Sequence, residues 1–382
     1  MKLFIKFFIV LIFLGIILSL LINLFLQTKA FGKLSSGERL EKIKLSKNYN
    51  LEKAEFEYPI PTILLGTSKN KESANKLSAK LKRLYQFATG KDEAENTVPN
   101  KPIPSVKTNL FKLDIKENLI VWLGHSSLYL QLEGNRILVD PVLEKAFPLP
   151  FAMKAFEGSD IFKSKDIPEI DILILTHDHW DHLNYPTIMG IKNRVKKFIV
   201  PLGVGEHLEH WGINKENIIE TDWWETISLK ELKIHTLPAR HFSGRGFIRN
   251  KSLWASFLIE TKDSKLFFNG DSGYGPHYKE IGEKFKNIDF VAMEAGQYNS
   301  DWANIHIHPE EILLALNDLN TQRFLPIHNS KFKLSKHNWY EPLDRLDTLI
   351  ENTNIHMQTP LIGEIIYLNK KDKFSKWWKS IK

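Results

Sequence analysis

The hexapeptide His177-Asp178-His179-Trp180-Asp181-His182 sets three imidazoles and two carboxylates side by side. Folding that many polar groups together is costly unless each finds a partner. A metal ion partners several at once, so the chain is restricted to folds that can bring further ligands to this segment. The lead-in, residues 171–176, is an apolar, branched run that predicts a buried strand. The hexapeptide therefore starts where a strand ends, on a loop held by a rigid sheet. Neutral imidazole and carboxylate suit zinc, and also iron or manganese. In such a loop His177 and His179 can point one way while Asp181 and His182 turn to a second position, so one segment can serve two adjacent metals. The alternative is a surface loop rich in His and Asp; the number and spacing of the ligand types favour metal.

The chain has 382 residues, 43% hydrophobic and 25% charged, as expected of a folded protein. Without its N-terminal segment roughly 350 residues remain, enough for one large domain or two small ones. There is no cysteine. Disulfides and thiolate metal sites are thereby excluded, and any metal must be held by His and Asp. The redox compartment stays open.

After Lys2 and Lys6, residues 7–26 carry no charge. As a helix, 20 such residues span about 30 Å, one hydrocarbon thickness. A cleaved export signal is the rival reading, but the apolar run is long for one and only the poor site Thr28-Lys29-Ala30 follows. The expectation is an uncleaved single-pass anchor over residues 1–28. A lipoprotein is excluded because it needs a cysteine. Lys29, Lys33, Arg39, Lys42 and Lys44 follow the run and lean towards a cytoplasmic enzyme domain. A short basic N-terminus is also how export signals begin, so the side stays open.

Three further segments extend the histidine pattern. Pro238-Ala239-Arg240-His241 follows the strand-like run 232–237, Asn269-Gly270-Asp271-Ser272 follows 265–269, and His328 follows 323–326. With the hexapeptide, these resemble the ordered ligand segments of the metallo-β-lactamase superfamily, over residues of about 119 to 352. Within it the likeness is to the N-acylphosphatidylethanolamine-hydrolysing phospholipase D group and its bacterial ascorbate-lactonase-like relatives. The stretches Trp122-Leu123-Gly124-His125-Ser126-Ser127, Asp140-Pro141-Val142, Gly296-Gln297-Tyr298-Asn299 and Ile305-His306-Ile307-His308-Pro309-Glu310-Glu311 carry it. Two positions depart. Asn329-Ser330 stands where the group has Trp-Gly, and Ile305 stands where the mammalian enzyme has a polar amide.

The resemblance implies an α/β fold, an αββα sandwich of two sheets between helices, behind the N-terminal transmembrane helix. It implies two divalent cations, zinc by expectation. The first would take His177, His179 and His241, the second Asp181, His182 and His328, with Asp271 bridging them. Such a pair lowers the pKa of bound water to about 7 and supplies a bridging hydroxide as nucleophile. Asp181 would help orient it, and His306 would serve the leaving group. His125 and Asp140 would buttress ligands. His308 lies close enough in sequence to share the cleft. His207, His210, His235, His277, His337 and His356 are read as structural.

The expected function is a membrane-anchored dinuclear hydrolase that cleaves a phospholipid-like phosphodiester. A lactone or amide hydrolase on the same metals is the alternative. A non-catalytic tethered metal-binding protein, hinted at by Asn329-Ser330, is the alternative of another class. β-Lactam hydrolysis is disfavoured because the flanking motifs follow the phospholipase-like branch. The expected partners are the membrane and the substrate; no nucleic-acid module or basic-aromatic groove motif occurs. The oligomeric state is not readable.

The boundaries expected are an anchor over 1–28, a connecting and wrapping extension over 29–118, a catalytic domain over 119–368 and a basic aromatic tail over 369–382. The net charge of +7 is concentrated in that tail, where six lysines surround Trp377-Trp378. It reads either as a headgroup-binding end or as a frayed terminus. Residues 31–61 are expected to be extended, 68–90 an amphipathic helix and 92–104 a loop.

Overall fold

The computed structural model describes residues 2–64, 94–149, 152–370 and 372–382. The helix expected over 68–90 lies outside them. The chain opens with α1 (Lys2–Leu26), α2 (Gly37–Lys44) and a short hairpin of β1 (Tyr49–Asn50) and β2 (Glu55–Phe56). The first half of the sandwich is β3 (Leu119–Trp122), β4 (Leu128–Leu132), β5 (Asn135–Val139), β6 (Ile170–Ile174), α3 (Tyr185–Ile191), β7 (Val195–Pro201), α4 (Gly205–His210) and β8 (Ile218–Thr221). The second half is β9 (Thr226–Leu229), β10 (Leu232–Leu237), β11 (Ser256–Glu260), β12 (Lys265–Phe268), α5 (His277–Phe285), β13 (Phe290–Glu294), α6 (Pro309–Asp318), β14 (Arg323–Ile327), α7 (Glu341–Leu349) and β15 (His356–Met357). Last, β16 (Ile365–Tyr367) returns to the first sheet.

Among the described residues each sheet of the sandwich has seven strands, in the orders β16-β3-β4-β5-β6-β7-β8 and β15-β14-β13-β12-β11-β10-β9. Pairing is antiparallel near each chain entry and turns parallel at β5–β6 and at β12–β13. The parallel strands are covered on both faces, which is why they read as unbroken apolar runs. Alternation then sorts their side chains. Phe257, Ile259, Leu266, Phe268, Phe290, Ala292, Leu325 and Ile327 join the large inner core. Their neighbours Leu258, Phe267, Val291, Met293 and Phe324 pack outward with Ile281, Ile312, Leu316 and Leu346 of α5, α6 and α7. On the other side α3 and α4 bury Ile188, Ile191 and Leu208 in the cluster that holds the first sheet. The architecture is the αββα sandwich.

Two expectations change. Residues 31–61 are not extended throughout, because α2 forms within them. The blocking prolines, Pro59 and Pro61, lie beyond it, and Ile43 is buried while Arg39 meets Glu206, Glu209 and Glu220 at 3.0, 3.0 and 2.6 Å. The basic tail is not a frayed end, and its two indoles are packed inside the protein rather than presented to lipid. Trp377 and Trp378 are buried, and Trp378 Nε1 donates to Asp344 Oδ1 at 2.8 Å. Lys376 and Lys379 pair with Asp347. The acidic, apolar flank of α7 supplies a partner for both halves of that sequence. By contrast α1 is exposed along its length, and residues Phe4–Leu26 are long and apolar enough to cross a membrane.

Candidate metal centre

Strand β6 stops at Ile174, and the chain turns so that His182 N and Leu183 N both donate to His179 O, at 3.1 and 2.8 Å. The turn divides the hexapeptide between two surroundings. Asp178 faces into the protein, where its carboxylate accepts from Gly244 N at 2.6 Å and Ser252 Oγ at 2.8 Å. The other four titratable side chains face the opposite way. His241 follows β10, Asp271 follows β12 and His328 follows β14, so all reach the same edge of the sandwich. Gly270 makes the last approach possible. It has φ +62°, and a Cβ there would sit 2.9 Å from Thr176 Cβ.

The structure brings all seven expected ligands together, with His125 beside them. One group is His177, His179, His241 and Asp271; another is His125, Asp181, His182 and His328; a third is Asp271, His306 and His328. Around the first group His177 Nε2 and His241 Nε2 lie 2.9 and 3.2 Å from His179 Nδ1. They lie 3.8 and 3.7 Å from Asp271 Oδ2. Around the second, His182 Nε2 is 3.1 Å from Asp271 Oδ1, and His328 Nε2 is 3.2 Å from both Asp271 Oδ2 and Asp181 Oδ2. Ligands on a tetrahedral cation at bond lengths of 2.0–2.1 Å stand about 3.3 Å apart. The donor spacings cluster around that value. His182 Nε2 and Asp271 Oδ1 are buried and face each other without the geometry of a hydrogen bond, an arrangement that a cation beside both would satisfy. The residues therefore fit divalent metal ions, which the fold family also implies.

The ring nitrogens facing away from the centre are held. His241 Nδ1 donates to Ile305 O at 2.9 Å, which leaves Nε2 bare towards the centre. His182 Nδ1 is 2.8 Å from Asp140 Oδ2, and Asp140 also accepts from Thr176 N and Oγ1 at 2.8 and 2.6 Å. His125 Nε2 lies 2.9 Å from Asp181 Oδ2. The backbone here is in the left-handed region at His125, Asp140 and His328, with φ 54°, 42° and 63°. Strain of this kind persists where surrounding contacts over-determine it.

Burial pushes His177 and His241 well below the ordinary histidine range, and His179 down to about 4. These rings are neutral, as ligands must be. Burial acts the same way on His182, but Asp271, Asp181 and Asp140 outweigh it and raise His182 to about 10. Burial would raise Asp271, yet His182 and His328 hold it well below the usual carboxylate range. Without a cation the centre is thus a pocket of ionised carboxylates that draws protons onto His182 and His328. Dications supply the same charge.

The centre opens into a cleft of about 240 Å³. His179, Asp181, Asp271 and His328 line its base; Leu64, Phe242, Arg249, Trp302 and Leu334 line the approach. His306 is there too. Its Nδ1 is bonded to Glu294 Oε1, and His306 stacks on His328 with ring centres 5.4 Å apart. Glu294 was missed in the sequence. It is wholly buried at the end of β13, where it also accepts from Ser272 N at 2.8 Å. The available signal was a carboxylate closing an otherwise apolar strand, Phe-Val-Ala-Met-Glu. Arg245 was missed as well: it is buried and donates to Asp178 O and Leu183 O at 2.8 and 2.6 Å. His308 turns away from the cleft and packs on Tyr298, ring centres 5.1 Å apart.

The two departures from the pattern of the resembling group leave the side chains of the candidate centre in place. Asn329 Nδ2 donates to Pro326 O and Ile327 O at 3.0 and 3.1 Å, which ties down the turn carrying His328. Ser330 takes the left-handed backbone, φ 59°, in place of the glycine. Ile305 contributes its carbonyl to His241, a role any side chain permits.

The family model for the beta-lactamase superfamily domain matches residues 135–329. An uncharacterized protein of Mycobacterium tuberculosis is 32% identical over 297 residues, covering 74% of this chain and 77% of its own length. N-acyl-phosphatidylethanolamine-hydrolyzing phospholipase D 1 of Caenorhabditis elegans is 29% identical over 245 residues, 60% of this chain and 69% of that one. Among solved structures CmlA, a diiron beta-hydroxylase of Streptomyces venezuelae, superposes with a TM-score of 0.52 at 19% identity, over 66% of this chain and 54% of its own; the likeness is one of fold. Taken with the sandwich and its ligand-bearing edge, these matches make the chain a member of the beta-lactamase superfamily.

Proposed function

We propose that the protein is a membrane-anchored, dinuclear metal hydrolase that cleaves a phospholipid-like phosphodiester. The observation that carries this reading is Asp271. Its two oxygens lie within 3.8 Å of ring nitrogens from both histidine groups, as a carboxylate shared by two cations requires. His177, His179 and His241 would hold the first cation, and Asp181, His182 and His328 the second, with Asp271 common to both. Zinc is the proposed metal, because the donors are imidazole and carboxylate and no redox partner is needed. When bound, such a pair activates water near neutral pH and stabilises charge developing on the phosphoryl oxygen.

The chain's own residues do the rest. Asp181, held by His125, is placed to orient the attacking water. In the reaction the water oxygen bonds to phosphorus, the bond from phosphorus to the alcohol oxygen breaks, and the proton lost by water is returned to the leaving alkoxide. His306, fixed through Nδ1 by Glu294, presents its other nitrogen to the cleft and is placed to hand over that proton. Arg249 at the approach suits an anionic diester, and Leu64, Phe242 and Trp302 suit lipid chains. The relatives named for N-acyl-phosphatidylethanolamine hydrolysis support this substrate class, and α1 supports a membrane location.

The test uses full-length protein loaded with zinc. N-acylphosphatidylethanolamine in mixed micelles, or the soluble bis(p-nitrophenyl) phosphate, is hydrolysed, and Asp271→Ala abolishes both activities while lowering bound metal. Turnover of a lactone panel with none on diesters would replace the phosphodiesterase reading by the carbonyl-hydrolase one. No turnover on either, with fewer than about two metals per chain, would leave a metal-binding protein without catalysis.

A further inference from the structure

The loop 246–249, Gly-Phe-Ile-Arg, carries two large apolar side chains in water: Phe247 is 84% and Ile248 55% exposed. It lies between two features that give the exposure a meaning. On one side is the foot of α1. Phe25 in its last turn meets Phe31, ring centres 5.2 Å apart, and Phe31 meets Trp180 of the hexapeptide at 4.9 Å. A Cβ on Gly246 would come within 3.8 Å of Phe31 Cδ1, so the loop begins on that same aromatic. On the other side is the mouth of the cleft. The Arg249 guanidinium sits 4.9 Å over the Phe242 ring, and both residues line the cleft.

Arg245 fixes these parts to one another. Its guanidinium donates to Ala30 O at 2.8 Å on one edge and to Asp178 O at 2.8 Å on the other, and stacks on Trp180 at 3.9 Å. Lys33 N donates to His207 Nδ1 at 3.0 Å and Trp211 Nε1 to Lys29 O at 2.7 Å. The chain leaving α1 is therefore bonded to the catalytic domain within a few residues, next to the metal-binding turn. A bilayer that holds α1 must end close to Phe31, and so close to the loop and the cleft mouth.

We propose that residues 246–249 form a membrane-docking wedge that seats the cleft mouth on the lipid surface from which α1 emerges. Phe247 and Ile248 enter the boundary between headgroups and acyl chains, and Arg249 meets lipid phosphate. The substrate then passes from the bilayer into the cleft without crossing bulk water. The inference rests on the membrane reading of α1 and extends it from a tether to an orientation.

The chain contains no cysteine, so single labels can be placed cleanly. Full-length Ile248→Cys, Leu14→Cys within α1, and Lys262→Cys in the exposed β11–β12 turn at the opposite end of the second sheet are each labelled with an environment-sensitive fluorophore. They are reconstituted in phosphatidylcholine–phosphatidylglycerol vesicles. The Ile248→Cys label is expected to be blue-shifted and quenched by lipid-borne nitroxide at least about threefold more than the Lys262→Cys label, with iodide quenching in the reverse order. Equal iodide access at positions 248 and 262, with the Leu14→Cys label quenched from the lipid, overturns the wedge and leaves the anchor standing. A Leu14→Cys label untouched by lipid-borne quencher removes the anchor and the wedge together.

Discussion

His182 Nδ1 and Asp140 Oδ2 meet at 2.8 Å with both side chains shielded from water. The carboxylate fixes the ring so that Nε2 faces Asp271, and it is itself fixed by Thr176 at the end of the hexapeptide's strand. Supports of this kind are worth about 10–100-fold in metal affinity. Asp140→Ala should therefore weaken the cation that His182 would hold by about that factor, read by competition with a chelating dye, while circular dichroism stays unchanged.

Glu294 and His306 should act as a unit. Glu294→Gln is expected to lower kcat on a diester roughly 100-fold with little change in KM; because Glu294 Oε1 also lies 3.5 Å from His328 Nδ1, rates are compared at saturating zinc. His306→Ala should do the same, and the double variant should be no slower than the worse single one. Independent, multiplying losses in steady-state kinetics would show that Glu294 does not act through His306.

Lys331 is wholly buried, with Nζ donating to Val142 O at 2.8 Å and Leu123 O at 3.3 Å. Burial pushes it down to about 7 from an ordinary value of 10.5. Between those values the unfolded chain binds the proton and the folded one does not, so this group makes stability rise with pH. The contribution is fully present above 10.5 and lost as pH falls to about 7. Denaturant midpoints of the wild type relative to Lys331→Met should therefore climb from pH 7 to pH 9. A flat difference would show that Lys331 keeps its charge in the fold.

The C-terminal strap should be structural. Trp378 is completely buried and bonded to Asp344. Trp378→Ala should cost about 3–5 kcal/mol in equilibrium unfolding, as removal of a buried aromatic does. Lys379→Ala, which removes one exposed arm of a surface pair, should cost less than about 1 kcal/mol.

Metal removal offers a further check. Because the centre's carboxylates are held ionised at close quarters, stripping with a chelator should lower the melting temperature, and zinc should restore it, the gain growing as the logarithm of its free concentration above the dissociation constant. A melting curve indifferent to both would contradict a folded-state metal site.

The local sequence determined the strands, the ligand types and their order. Branched apolar runs covered on both faces can only be inner strands, and His and Asp placed just past their ends converge wherever parallel strands share an edge. That is how β6, β10, β12 and β14 could be read with His177, His241, Asp271 and His328 behind them; that these four belong to one site was implied by the resemblance to the superfamily. The apolar run of α1 was equally plain, since length and lack of charge suffice to define it. What the tertiary structure decided were matters of partner. Lysine and tryptophan in the tail look alike whether they meet lipid, water or α7, and only the packing of Asp344 and Asp347 beside them makes the tail a strap. Glu294 looked like the end of a strand until His306 was folded over it. Arg245 showed nothing until Ala30 and Asp178, far apart in the chain, were brought to either side of it. Periodicity and ligand chemistry are local and can be read along a chain, whereas the pairing of a buried charge depends on residues that only the fold makes neighbours.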